Sequence, residues 1–393
     1  MRKPVVYSAD PEHWAFLGGA DPETGRYRIP SMDEIAAVPW NGYTVVSTFS
    51  GGGGSCLGYR MAGYKVLWAN EFVDEARATY RLNHPGVILD GRDIRLVTPE
   101  DILKATGKHV GEIDLLDGSP PCSAFSKAGV RQKNWHKEVA YSDGMVQNVD
   151  GLFMEFARIL KGLQPKTFAA ENVEGLVMGK AFGRFKRILA ALQDCGYIVS
   201  ARVLDAQWLG VPQKRRRLVF VGVRRDLAEK YGVRPVHPVP EKRNITLGTA
   251  LAGVVNDPAD LEKLRQQEKT HKRYQIELRM PFDPDKPLHG CFFSKTGGYF
   301  NLKRESLRCP ALTVCEGTGK TSFSGNLHPL ENRKWSIPEL KRITGVPDDF
   351  VVTGDYRRQY ERLGRMAPPP MMARVADEIR RNILDKCREG EGR

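Results

Sequence analysis

The sequence predicts an α/β protein in which a doubly wound domain, built on a mostly parallel sheet, is joined to a smaller second domain. Three observations predict it. Short apolar runs recur at Tyr43 to Phe49, Lys65 to Asn70, Val87 to Leu89, Ile113 to Asp117, Thr167 to Ala170, Tyr197 to Leu204 and Leu218 to Val223, and several are continuous enough to be strands covered on both faces. Amphipathic stretches lie between them: Leu152, Phe156, Ile159, Leu160 and Leu163 share one helical face, and Phe185, Ile188, Leu189 and Leu192 share another that stops before Gly196. After Arg225 this alternation gives way to Pro- and charge-rich sequence with short elements.

The chain has 393 residues, 41% of them hydrophobic, enough for one large core and a second, smaller one. Residues 1–40 read as an extension without periodicity, 41–225 as the main domain, 226–350 as the small domain and 351–393 as a C-terminal helix with a tail. In that last region Met372, Val375, Ala376, Ile379 and Ile383 form one face. They follow three prolines, Pro368 to Pro370, which are expected outside the helix. Arg388 to Arg393 are expected to be disordered.

Sixty Lys+Arg against 47 Asp+Glu give a formal charge of +13, which favours a polyanionic partner. No early apolar run is flanked like a signal peptide and no stretch of about 18 apolar residues could span a bilayer, so a soluble cytoplasmic protein without a membrane partner is expected. The seven cysteines are scattered and contain no C-x-x-C pair. Neither a disulfide framework nor a metal site is suggested.

The run Phe49-Ser50-Gly51-Gly52-Gly53-Gly54-Ser55 follows the first strand and opens a helix, so a ligand could approach its backbone amides closely. A plain flexible turn would need no such placement. The next strand ends in Asn70-Glu71, where a carboxylate could bind ribose hydroxyls, and the third is followed by Asp93-Ile94, an acceptor for an adenine amino group beside an apolar contact for the ring. Read blandly, Glu71 and Asp93 are surface acids. The glycine run lacks the Lys-Ser/Thr ending of a phosphate loop, which disfavours nucleoside triphosphates.

Asp117-Gly118-Ser119-Pro120-Pro121-Cys122 places one thiol at the carboxyl edge of the sheet, where α/β proteins keep their sites. Glu171-Asn172-Val173 ends another strand at that edge. Arg215 and Arg217 lead into the last strand, and alternation points both to the same side.

In this order the motifs resemble the DNA cytosine-5 methyltransferase family, from about Thr44 to Ile383. The landmarks are the Phe49 glycine loop, Asn70-Glu71, Asp93-Ile94, Pro121-Cys122, Glu171-Asn172-Val173, Gln213 with Arg215 and Arg217, Arg308 to Thr313, His328-Pro329 with Asn332-Arg333, and Ile343 to Phe350. The resemblance implies a Rossmann-like domain that binds S-adenosylmethionine through Phe49, Gly51, Gly53, Gly54, Glu71, Asp93, Ile94 and Pro121. It implies Cys122 as the nucleophile at cytosine carbon 6, Glu171 at N3, and Arg217, with Arg215, at O2. It implies a flipped base in duplex DNA, a closing loop over Ser123 to Asn148, and target recognition by Asp226 to Leu307. A monomer on double-stranded DNA is expected, with a cognate restriction endonuclease as further partner in a restriction system. Two positions depart from the family: Ser47 stands where an Asp is usual, and Gly364-Arg365 where Gly-Asn is usual.

Other readings fit less well. A zinc deaminase needs P-C-x-x-C, and Pro121-Cys122-Ser123-Ala124-Phe125 has no second cysteine. A tRNA cytosine-5 methyltransferase would share the catalytic motifs, but the long stretch from Asp226 to Leu307 favours DNA. A catalytically inactive DNA-binding homologue would not need Cys122, Glu171 and Arg217 together.

Overall fold

The computed structural model describes residues 19–20, 27–121, 139–140, 146–147, 151–270, 274–283, 286–289, 292, 302–314 and 325–391. Its centre is a seven-stranded sheet of Thr44–Thr48 (β3), Lys65–Asn70 (β4), Ile88–Asp90 (β5), Leu115–Gly118 (β6), Thr167–Val173 (β9), Tyr197–Asp205 (β10) and Arg216–Arg224 (β11), in the order β10-β11-β9-β6-β3-β4-β5. Two ribbons, Gly19–Ala20 with Tyr27–Arg28 (β1, β2) and Val139–Ala140 with Val146–Gln147 (β7, β8), lie apart from it. Leu288–His289, Leu302–Arg304 and Gly325–Leu327 (β12 to β14) make a small sheet of their own.

Alternation along the central strands divides the core into two layers. Val45, Leu115, Ala169 and Val219 face one layer, and Val46, Leu116, Ala170 and Phe220 the other. The helices Met32–Ala36 (α1), Gly54–Met61 (α2), Asp74–Asn83 (α3), Pro99–Thr106 (α4), Leu152–Leu163 (α5) and Phe182–Asp194 (α6) flank the strands. Helix α5 buries Leu152, Phe156, Ile159, Leu160 and Leu163, each contributing about 1.5–3 kcal/mol, and ends at Gln164 in a left-handed conformation.

The sheet is mostly parallel, as expected, but β11 runs antiparallel to both β9 and β10. The segment joining β10 to β11 carries only the short turn Ala206–Trp208 and no crossover helix, so the chain must reverse.

Beyond β11 come Arg225–Tyr231 (α7), Leu247–Leu251 (α8), Pro258–Lys269 (α9), Tyr274–Glu277 (α10), Ile337–Thr344 (α11), Tyr356–Arg365 (α12) and Pro369–Ile379 (α13). Leu57 and Met61 of α2 pack with Trp335, Leu340, Ile343, Tyr360 and Leu363. Helix α13 also lies on α2, closely enough that a Cβ on Gly58 would sit 2.6 Å from the Pro369 carbonyl oxygen.

Three expectations change in detail. Pro369 and Pro370 lie within the first turn of α13, where the missing N–H groups have no intrahelical partner to lose. The tail is ordered as far as Glu391: after a π-turn at Arg380–Leu384 the helix Asp385–Glu391 (α14) buries Cys387, and Arg388 stacks over the Tyr43 ring. The extension before the sheet includes α1, which is capped by Ser31 and buries Ile35. No helix among the described residues is long and apolar enough to cross a membrane.

Candidate active site

The site is assembled where β3, β4, β6, β9 and β11 end or begin at one edge. Leaving β3, Phe49 is held at φ 54°, a left-handed conformation rare for a bulky side chain and concentrated at functional sites. The turn closes as the Gly53 amide donates to the Ser50 carbonyl at 2.9 Å. Gly51 and Gly53 both take positive φ. Behind the turn there is no room: a Cβ on Gly53 would lie 2.2 Å from His84 Nε2, and one on Gly54 2.3 Å from the Ala367 carbonyl oxygen. At Gly51 nothing lies within 4 Å of the Cβ position, so the loop opens on space there.

Glu71 braces this loop. Its carboxylate accepts from the Gly51 amide at 2.7 Å and from the Val73 amide at 2.8 Å. Asn70 donates to the carbonyls of Asp90 and Arg92, fixing the segment that delivers Asp93. The Asp93 carboxylate accepts from the Arg95 amide and pairs with its guanidinium at 3.0 Å. Ile94 is 1% exposed and belongs to the core layer, so its side chain supports the loop from inside.

Across the edge, Glu171 lies near the end of β9 and Arg217 near the start of β11, two antiparallel neighbours. Their side chains meet with Arg217 Nε 2.6 Å from Glu171 Oε1, at 15% and 11% exposure: screened from bulk water yet reachable. Arg215 goes elsewhere. Its buried guanidinium donates to the carbonyls of Val314, Gly364 and Met366, tying the entry of β11 to the end of α12. Gln213 and Lys214 run beside the Arg308 to Thr313 segment, with the Lys214 amide donating to the Ala311 carbonyl at 2.7 Å.

Cys122 lies outside the described residues, as do residues 123–138, which carry Lys127, Arg131, Lys133 and Lys137. The chain leading to Cys122 is held: Asn172 donates to the Pro120 carbonyl at 3.1 Å, and Pro121 is half-buried. Asn172 thus holds the Pro120 backbone against the strand of Glu171, a role its place beside the acid hints at but does not specify. Cys56, Cys195 and Cys387 are buried, and burial pushes the Cys56 thiol up to about 12, unfit for thiolate chemistry near neutral pH.

Asp117, at the end of the run Ile113 to Asp117, has no role in the sequence reading beyond leading the chain toward Cys122. Its Oδ2 accepts from the Ser47 hydroxyl at 2.7 Å and its Oδ1 from the Tyr59 hydroxyl at 2.9 Å; the Ser50 and Ser47 hydroxyls are 2.9 Å apart. Ser47 and Asp117 are register partners on β3 and β6. Burial raises the Asp117 carboxyl to about 7, against the opposing effect of its hydroxyl donors and with a further push from the Glu171 charge. At the other departure, Arg365 pairs with Glu361 one turn earlier at 2.8 Å, and the Gly364 carbonyl receives Arg215.

A sequence model of the family described as C-5 cytosine-specific DNA methylase matches residues 43–381. Type II methyltransferase M.PspPI of Psychrobacter sp. (strain TA137) is 32% identical over 366 residues, covering 89% of this chain and 82% of that protein. Type II methyltransferase M.Eco47II of Escherichia coli is 31% identical over 360 residues, covering 88% and 80%. The solved structure of the S. pombe Dnmt2 methyltransferase matches with a TM-score of 0.57 at 16% identity, covering 86% of this chain and 98% of that one, a likeness of fold. The family match runs through the glycine loop, the Glu171–Arg217 pair and the C-terminal helices alike, and the chain therefore belongs to the C-5 cytosine-specific DNA methylase family and is a DNA (cytosine-5-)-methyltransferase.

Proposed function

We propose that this methyltransferase modifies a cytosine flipped out of a specific duplex DNA sequence, through a covalent bond between Cys122 and carbon 6 of the base. The observation that carries this reading is the Glu171–Arg217 pair, held beside the strand exit that leads through Pro120 and Pro121 to the thiol. Carbon 5 of cytosine is a weak nucleophile. Addition of the Cys122 thiolate at carbon 6 breaks the 5,6 double bond and moves its electrons toward carbon 5 and, through the ring, toward N3 and O2. Glu171 meets the N3 edge, and the Arg217 guanidinium meets O2, where the developing negative charge is stabilised. After carbon 5 is methylated its proton leaves to solvent, and the electrons of that bond restore the double bond as the sulfur–carbon bond breaks.

S-adenosylmethionine, when bound, supplies the electrophilic methyl group. The residues present fit it. Gly51 opens on free space, with the Glu71 carboxylate beside it for ribose hydroxyls and the Asp93 segment fixed by Asn70 for the adenine. Phe49, Gly53 and Gly54 shape the loop, and Pro121 joins it to the catalytic side. Arg215 acts here as a positioning residue, since its donors hold the helix behind the loop. Residues from Asp226 to Leu307 select the DNA sequence, and the enzyme acts as a monomer, with a restriction endonuclease of the same specificity as its functional partner.

The test is incubation with methyl-labelled S-adenosylmethionine and either duplex DNA or tRNA, followed by bisulfite sequencing of DNA from a host expressing the protein. Label in duplex DNA at carbon 5 of one recurrent sequence is expected. Label confined to tRNA would overturn the reading. With 5-fluorocytosine at the target, fluorine cannot leave as the proton does, so wild-type enzyme should be trapped on DNA through Cys122, and Cys122→Ser should be neither trapped nor active.

A further inference from the structure

Four arginines of helix α12 and its surroundings have clear partners. Arg358 pairs with Glu75 at 2.8 Å, Arg365 with Glu361 at 2.8 Å, Arg77 with Asp74, and Arg215 binds three carbonyls. Arg362 differs. It is 6% exposed, yet its guanidinium has no hydrogen bond or ion pair among the described residues. A desolvated charge without a partner is expensive, and burial accordingly lowers the basicity of this side chain.

Its location says what the charge is for. The Cγ and Cδ atoms of Arg362 lie 3.1 Å from the position a Cβ on Gly52 would occupy, so its stem covers the glycine loop. The charged group that acts on it most strongly is Glu71, whose oxygens are already engaged by the amides of Gly51 and Val73. The helix is not free to swing away: Arg215 holds the carbonyls of Gly364 and Met366, and the Met366 amide donates to the Arg362 carbonyl at 3.1 Å. The guanidinium is therefore held close to the cofactor loop and waits for an anion.

We propose that Arg362 binds the α-carboxylate at the methionine end of the cofactor, an assignment that rests on the S-adenosylmethionine reading above. That carboxylate is the only anionic group the cofactor carries, and a planar guanidinium matches it with two parallel donors. The role makes helix α12 a direct part of the cofactor site, through a residue two positions before Gly364.

The test is calorimetric binding, without DNA, of S-adenosylmethionine and of its decarboxylated analogue to wild type, Arg362→Gln and Arg362→Lys. Wild type should favour the carboxylated ligand by about 10- to 100-fold, the ordinary worth of a charge-assisted pair. Arg362→Gln should lose most of that preference while binding the decarboxylated analogue nearly as wild type does, and Arg362→Lys should restore part of it. Loss of the same factor for both ligands in Arg362→Gln, or no preference in wild type, would overturn the assignment. Should Arg362→Gln fold poorly, Arg362→Met, which keeps the apolar stem over the glycine loop, is measured in its place with the same expected loss of preference. Failure of wild type to bind either ligand would instead remove the cofactor reading, and this assignment with it.

Discussion

Asp117 and Glu171 are carboxylates at the ends of neighbouring strands with different environments, and each carries a prediction. Asp117 titrates near 7 in the folded protein through burial, whereas an unfolded Asp titrates near about 4. Between these values the folded state holds a proton that the unfolded chain has released. The contribution of this group is fully present below about pH 4 and is lost as pH rises through about 7. Asp117→Asn is neutral throughout, so its stability relative to wild type should rise from pH 5 to pH 8, measured by urea denaturation at about those two values. Parallel curves for the two proteins would assign the titration elsewhere. For Glu171, replacement by Gln keeps the volume and removes the acid, and methyl transfer should fall by about 10²- to 10⁴-fold. Calorimetric affinity for S-adenosylmethionine should stay within about threefold of wild type, because Glu171 faces Arg217 and not the glycine loop.

At the scale of elements, the turn between β3 and α2 separates two kinds of glycine. Gly53→Ala places a methyl group into the His84 ring at a positive φ and should destabilise the protein by about 2–4 kcal/mol, read as a lower urea midpoint. Gly51→Ala meets no neighbour, so its thermodynamic effect should be limited to backbone strain of about 1 kcal/mol, while its methyl group intrudes on the ligand space and weakens cofactor binding. Equal stability losses in the two variants would contradict this division. The Arg215 tie makes a second case. Arg215→Met leaves three carbonyls without their donor between β11 and α12 and should cost about 3–5 kcal/mol, a loss visible in thermal unfolding before any assay of activity.

For the whole molecule, the charge of +13 and the family's DNA substrate set the expected salt response. If about six phosphates are contacted, raising salt from about 50 to 200 mM should weaken duplex binding by about 10³-fold, measured by fluorescence anisotropy. Sequence choice should not follow salt. Exchange of residues 226–307 for the equivalent part of a relative with a different target should move methylation to the new sequence, whereas retention of the original target would place recognition elsewhere.

Local features were legible in the sequence because they depend on neighbours along the chain. Strand periods, the glycine turn and the residues at strand ends follow from side-chain alternation and backbone freedom, and all seven central strands fall within a few residues of their expected positions. The same logic explains why the helix Asp385–Glu391 was not legible, since Cys387 gains its order from distant surfaces. The reversal of β11 depends on which strands it can pair with, and a local pattern carries no direction. Alternation places Arg215 and Arg217 on one side, but only packing sends one to a carbonyl 149 residues away and the other to Glu171. By itself the sequence determined the fold class and which candidate residues stand at the carboxyl edge; the tertiary structure decided which of them meet, that Asn172 holds Pro120, and that Arg362 lies buried on the glycine loop. The physical reason is that desolvation and charge pairing are set by residues brought together in space, which spacing along the chain does not encode.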